Sequence, residues 1–148
     1  MKSELGWLGT GITSFGLNKA KIFVFGSNEQ GVHGAGAAKV AAMKHGAKAG
    51  VGEGLTGQSY ALPTRKIVGR GFYTLTLPEI AVRVDRFIKY AAEHPEFKFQ
   101  VTAIGTGHAG LEHEDMAPLF AAAPDNCEFD TVWQEWLPDK TFWGTYEG

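Results

Sequence analysis

Cysteine is almost missing from this chain: Cys127 is the only one in 148 residues. A lone thiol excludes an intrachain disulfide and any multi-cysteine zinc site. An excess of charge of one sign is also missing, with a formal balance of −2. No overall basic field therefore draws the protein to nucleic acid, although a local patch stays open. No apolar run approaches the length of a membrane span, and the first residues carry no signal-peptide core. A cytoplasmic protein without a membrane partner is the expectation.

Glycine is what the chain has in quantity, 20 residues in all, within a composition that is 44% hydrophobic and 20% charged. Such a balance is that of a globular protein, and the length suits one domain over 1–148. An irregular N-terminal segment is expected over about 1–20 and an aromatic-rich tail over about 133–148.

The glycines are not evenly spread. Ile22-Phe23-Val24-Phe25 is a short β-branched and aromatic run that reads as a buried strand. It gives way at Gly26-Ser27-Asn28 to a loop with Gly31, Gly34 and Gly36. Ala37, Val40 and Ala41 then fall at helical spacing, and His45-Gly46 ends that helix. Strand, glycine-rich loop and helix together point free backbone N–H groups at an anion. The bland alternative is a tight strand-to-helix turn with no ligand. Neither a nicotinamide fingerprint nor a Walker loop fits, since the third glycine of the first and the Gly-Lys-Ser/Thr of the second are missing.

Further on, Ala47 to Gly57 reads as an extended loop. Ser59 to Leu62 reads as a strand closed by Pro63-Thr64-Arg65-Lys66, and a second loop is expected from Ile67 to Leu75. Thr76-Leu77-Pro78-Glu79 has the spacing of a capping box. The apolar face of the following helix is Ile80, Val84, Phe87, Ile88 and Ala91, with Asp85 and Lys89 placed to pair outside. Phe97 to Ile104 alternates as a half-buried strand. It runs into Gly105-Thr106-Gly107-His108-Ala109-Gly110, a second glycine-rich loop. A short helix carries Met116, Leu119, Phe120 and Ala123, with Pro118 either near its true start or kinking its first turns, and Cys127 to Val132 suits a last strand. Trp133, Trp136, Phe142 and Trp143 read as a packing cluster rather than a base-stacking platform.

Two strands thus end in glycine-rich loops that precede helices. Where such loops meet at the carboxyl ends of a sheet, they can grip a diphosphate from both sides. His108, Glu112, His113, Glu114 and Asp115 are metal-capable but match no recognised ligand spacing, so no metal and no cofactor are expected. The three acidic groups suit the start of the following helix instead. Cys127 reads as a buried hydrophobe.

These segments resemble those of macrodomains, the ADP-ribose-binding α/β/α fold. Asn28-Glu29-Gln30-Gly31-Val32-His33-Gly34-Ala35-Gly36-Ala37-Ala38 is similar to that family's first ligand loop, N-x-x-G-x-M-G-x-G-x-A, with His33 where methionine is usual. Leu62-Pro63-Thr64-Arg65 resembles the F-P-T-K segment of the branch that includes antitoxins reversing ADP-ribosylation of DNA. Ala103 to Leu111 is similar to the second loop of that branch. The likeness spans roughly Ile22 to Ala123.

The resemblance implies a three-layer α/β/α sandwich around a mixed sheet. It also implies a pocket for ADP-ribose or a related nucleotide diphosphate derivative, free or carried on a macromolecule, with nucleic acid a partner only as a modified substrate. On it, amides around Gly34 to Ala38 and Gly105 to Gly110 hold the diphosphate, Asn28 meets ribose hydroxyls, and His33 lines the distal ribose pocket. Gly31, Ala35, Thr64, Thr106 and Ala109 complete the contacts, and Arg65 either binds phosphate or is a solvated structural arginine. Two departures bear on chemistry. The branch's catalytic lysine position is Arg65, which keeps its proton, so Lys66 or His108 would have to act in turnover. The family's second-loop aspartate falls at Ala109, and its adenine-binding aspartate has no counterpart.

Overall fold

The computed structural model describes residues 19–147. Nearly all of the irregular segment expected over 1–20 lies outside them. The framework is α/β, a mixed seven-stranded sheet with three α-helices among the described residues.

Strand β1 (Ala20–Asn28) lies in the middle of the sheet. Its apolar run does not alternate with polar residues because both faces are covered. Ile22 and Val24 join one cluster while Phe23 and Phe25 join another, all four at most 2% exposed. Helix α1 (Gly36–Lys44) covers the Phe23 and Phe25 side with Ala38, Val40 and Ala41. It stops where the sequence says it should, with His45 as C-cap and Gly46 at φ +72°, the left-handed position where glycine carries no Cβ penalty.

Strand β3 (Ser59–Val68) pairs in parallel with one edge of β1, from Phe23 opposite Ser59 to Asn28 opposite Arg65. Strand β5 (Phe97–Val101) pairs in parallel with the other edge. Strand β6 (Cys127–Asp130) and strand β7 (Thr141–Gly144) extend the sheet in the same direction. Strand β2 (Gly54–Thr56) and strand β4 (Gly71–Thr74) run antiparallel to β3.

Helix α2 (Leu77–Glu93) covers the Ile22 and Val24 side. Thr76 and Glu79 form the reciprocal capping box that the spacing predicts. The Thr76 backbone N–H, and then its hydroxyl, hold the Glu79 carboxyl below its ordinary value. Ile80, Val84, Phe87 and Ala91 are wholly buried. Phe87 meets Tyr60, Phe99 and Phe120 edge-on at 5.1 to 6.2 Å between ring centroids, so truncating it to alanine should cost about 3–5 kcal/mol. Helix α3 (His113–Met116) continues as a 3-10 turn over Ala117–Phe120 and closes the same cluster.

Several expectations need correction. Pro63 does not close β3, which continues to Val68. The loop expected over Ile67–Leu75 is the β3–β4 hairpin. Proline is tolerated within a strand where the ladder is interrupted and no N–H is needed, and the pairing with β1 does shift register just past Ser27, opposite Pro63. The stretch Ala47–Gly57 contains β2. Of the two readings of Pro118, the helix begins before it, at His113, and tightens to 3-10 where proline enters. Asp85 and Lys89 do not pair; Arg83 and Arg86 of α2 instead reach Glu29, just past β1, and Glu53, just before β2. The tail is a packing cluster as expected, with Trp133 fully buried, and it also supplies β7.

Candidate functional site

Chain direction changes at the centre of the sheet. From β1 the connection runs by α1 to β3 on one side, whereas from β5 it runs by α3 to β6 on the other. Connections that diverge from adjacent parallel strands leave a crevice beyond their carboxyl ends. A cleft of about 840 Å³ opens there, within the size range of small-molecule sites.

The first wall is the loop after β1 and the start of α1. Asn28 is 3% exposed, and its amide closes on Val32 in both directions. Its Nδ2 donates to the Val32 carbonyl at 2.8 Å, and its Oδ1 accepts the Val32 N–H at 3.0 Å. Asn28 lines the cleft, yet most of its hydrogen-bonding capacity shapes the loop. Gly31 lies outside the lining and serves packing: a Cβ there would sit 2.4 Å from the backbone of Gly50 and Val51. Gly52 docks its backbone against the same loop, where a Cβ would sit 2.3 Å from the Glu29 carbonyl oxygen, while Gly46 and Gly57 pack on each other.

Helix α1 starts at Ala35 with no side-chain cap and no acidic residue in its first turn. The consecutive amides from Gly34 to Ala38 find no acceptor among the described residues, and all five residues line the cleft. Unmatched N–H groups at a helix start concentrate partial positive charge.

The second wall follows β5. Thr102 ties this end to β1, its N–H and hydroxyl both donating to the Val24 carbonyl at 3.0 and 2.8 Å. Thr106 donates its hydroxyl to the Ala103 carbonyl at 2.7 Å, and the Leu111 N–H closes the loop on Gly105 at 2.9 Å. The amides of Gly105, Gly107, His108 and Ala109 find no acceptor among the described residues. Gly105 through Ala109 line the cleft, whereas Gly110 does not. The two walls converge: a Cβ on Gly36 would lie 3.9 Å from Cε1 of His108.

Thr64, Arg65 and Phe72 form a third side. The Arg65 guanidinium carbon lies 4.4 Å from the centroid of the Phe72 ring, a cation–π pair. Lys66 is exposed and outside the lining. Strand alternation turns it from Arg65 toward the face covered by α2, where its charge acts on Glu79.

His33 is also outside the lining. Its ring meets Phe25 edge-on at 5.3 Å, and Nε2 is 3.1 Å from the Lys48 carbonyl. It braces the loop from behind.

Asp130, Thr145 and Tyr146 also line the cleft, and sequence reasoning missed them. Asp130 is 5% exposed and accepts from the Val132 N–H at 2.9 Å and from the Thr145 hydroxyl at 2.6 Å. The signal was an aspartate ending an apolar strand two residues before the N–H it accepts. Arg65 and Asp130 are the fully charged side chains among the described lining residues.

The metal-capable cluster does not assemble. Among the described residues no group of three His, Cys, Asp or Glu side chains is placed to hold a metal ion. His113 accepts the Trp133 indole N–H at 3.0 Å and stacks on Trp136. Cys127 is buried, which pushes its thiol up to about 12 and leaves it protonated and inert near neutrality. No helix of the described residues is long and apolar enough to cross a membrane.

No protein-family model, curated protein or solved structure matches the chain. The geometry of the cleft is therefore what speaks for its chemistry.

Proposed function

We infer that the cleft binds a nucleotide diphosphate derivative of the ADP-ribose type, as a reader or sequestering site in the cytoplasm, on a three-layer macrodomain-like fold. One observation carries this reading. Two runs of unpartnered amides, Gly34 to Ala38 and the Gly105–Ala109 loop, face each other across one cleft at the β1/β5 divergence. Backbone amides held in place by two loops favour a diphosphate without side-chain cations. The size of the cleft leaves room for sugar or base beyond the phosphates, toward Asp130 on one side and Arg65 on the other.

Calorimetric titration with ADP-ribose, ADP and inorganic phosphate tests this. A single site with ADP-ribose as the tightest of the three is expected. A folded protein giving no binding heat with either nucleotide would overturn it.

Hydrolysis of an ADP-ribosyl bond is the second reading. The position of His108, in the cleft and facing Gly36, favours it as the acid or base. Product analysis on ADP-ribosylated protein and DNA separates turnover from binding.

A further inference from the structure

Among the described residues, strand β4 pairs with β3 alone, so its other side is a margin of the sheet. Hydrogen-bonded and unbonded pairs alternate along an antiparallel ladder. The Leu75 N–H meets the Thr64 carbonyl at 2.8 Å. Counting from there, Lys66–Tyr73 and Val68–Gly71 are bonded pairs, and Arg65–Thr74 and Ile67–Phe72 are not. The far edge of β3 agrees, since the Arg65 carbonyl accepts the Glu29 N–H and both Ile67 backbone groups go to Gln30. The backbone N–H and C=O of Phe72 and Thr74 therefore point outward. They find no partner among the described residues.

Native edges are commonly blunted by a charge, a proline or a bulge. Gly71-Phe72-Tyr73-Thr74 has no charge and no proline, and its pairing with β3 keeps an unbroken register. Tyr73 is 53% exposed on the face turned from the cleft. Its ring lies over Gly71, where a Cβ would come within 3.0 Å of it. Lys66 shares that face, and Arg70 stands in the turn between Val68 and Gly71. From Leu55 to Leu77 the sequence holds Arg65, Lys66 and Arg70 and no carboxylate. Glu79, at the start of α2, shares the field of Lys66.

We propose that the outer edge of β4 accepts an extended acidic peptide segment as an added strand. The segment's backbone bonds to that of Phe72 and Thr74. Its carboxylates lie in the field of Lys66 and Arg70, with their methylene stems against Tyr73. In this mode main-chain bonds supply affinity and alternate side chains supply selectivity. A second copy of the hairpin would set like charges against each other, so charge favours an acidic chain over self-pairing. The surface does not depend on the diphosphate site. Tyr73, Lys66, Arg70 and Thr74 all lie outside the cleft lining, and Phe72 contributes only its backbone.

The test is fluorescence anisotropy with a labelled peptide of about eight residues alternating glutamate and threonine, near the length of one strand. Expected is saturable binding that weakens with salt, with a lysine–threonine counterpart at least about 10-fold weaker. Amide exchange at Phe72 and Thr74 should slow when the glutamate peptide binds. Thr74→Pro removes an outward N–H without touching the β3–β4 ladder, and should cost about 10-fold in affinity. Thr74→Val keeps that N–H and should bind like wild type. Arg70→Ala should weaken binding by about 2- to 5-fold. The proposal is overturned if folded wild type does not bind the peptide at about 1 mM, or if the lysine peptide binds equally. Exchange at Phe72 and Thr74 that is unchanged by the peptide, or already slow before it is added, would also overturn it. So would displacement of the peptide by ADP-ribose, which would place it in the cleft, or full affinity in folded Thr74→Pro.

Discussion

Gln30 pairs with Ile67 as though it were one more residue of strand β1. Its Oε1 accepts the Ile67 N–H at 2.8 Å, and its Nε2 donates to the Ile67 carbonyl at 3.2 Å. A loop side chain thus continues the ladder where the strand has ended, and it couples the first ligand loop to the hairpin. Gln30→Ala leaves both Ile67 groups to water. The expected cost is about 1 kcal/mol, since each exposed hydrogen bond contributes modestly. Amide exchange at Ile67 should quicken more than at Phe23 in the sheet centre. Unchanged exchange at Ile67 would show that the pairing does not hold the hairpin.

Gly34 and Gly36 should respond differently to the same substitution. A Cβ on Gly34 would meet no atom within 4 Å, and its φ is not positive, whereas Gly36 sits at φ +58°. Gly34→Val should therefore melt near wild type and lose ADP-ribose affinity, because the side chain enters the anion space. Gly36→Val should lose affinity and also about 1–2 kcal/mol of stability from the left-handed backbone. Full affinity in folded Gly34→Val would place the cradle elsewhere.

Any hydrolase activity should depend on His108 and not on Lys66. His108 lines the cleft, while Lys66 is exposed on the opposite face of the hairpin. In single-turnover assays on an ADP-ribosylated substrate, His108→Ala should slow the reaction by about 100-fold or more, the range of a lost acid or base. Lys66→Ala should not slow it. Arg65 cannot transfer a proton, so activity appearing only in Arg65→Lys would identify the natural protein as a binder.

Stability should fall on mild acidification through His45. Its ring stacks on Phe23 at 4.3 Å and 12° between planes. Burial lowers the imidazole below its ordinary 6.5, and the neighbouring Lys44 adds to the effect. The unfolded chain then takes up a proton before the folded one. The contribution of the neutral ring is complete above pH 6.5 and is lost as pH falls toward the folded value. Melts at about pH 7.5 and about pH 5.5 should show a drop that is smaller in His45→Gln. The lowered carboxyls of Glu79 and Glu96 lose their contribution only below their ordinary 4.5. An equal drop in wild type and variant would assign the sensitivity to another group.

Local signals were legible wherever one residue's chemistry sufficed. The capping box of Thr76 and Glu79, the apolar face of α2, the left-handed Gly46 and the burial of Cys127 and Trp133 all follow from spacing and residue type. The positions of the two glycine loops were legible too, because each directly follows an apolar strand. What escaped was set by partners distant in sequence. Ile67 and Val68 are β-branched but stand as a pair between Pro63 and Gly69, too short a run to read as a strand, and they extend β3 because β4 and Gln30 supply the ladder. Asp130 reaches the cleft through the order of β5, β6 and β7, which no window of sequence contains. The side chains of His33 and Lys66 are turned from the cleft by loop packing and strand parity, and a motif match is blind to both.

The position of β1 bears on how the protein is made. It is the first strand of the described chain, yet it lies between β3 and β5, whose residues come some 30 to 80 positions later. On the ribosome, Phe23 and Phe25 emerge long before either flank exists. One edge waits for Ser59 to Pro63 and the other for Phe97 to Val101. Parallel partners so far apart close slowly, and a bare apolar strand in that interval is open to mispairing with another nascent chain. Translation pauses or a chaperone that shields β1 until β5 has been released would raise the yield of native protein, while the finished fold would be unaltered.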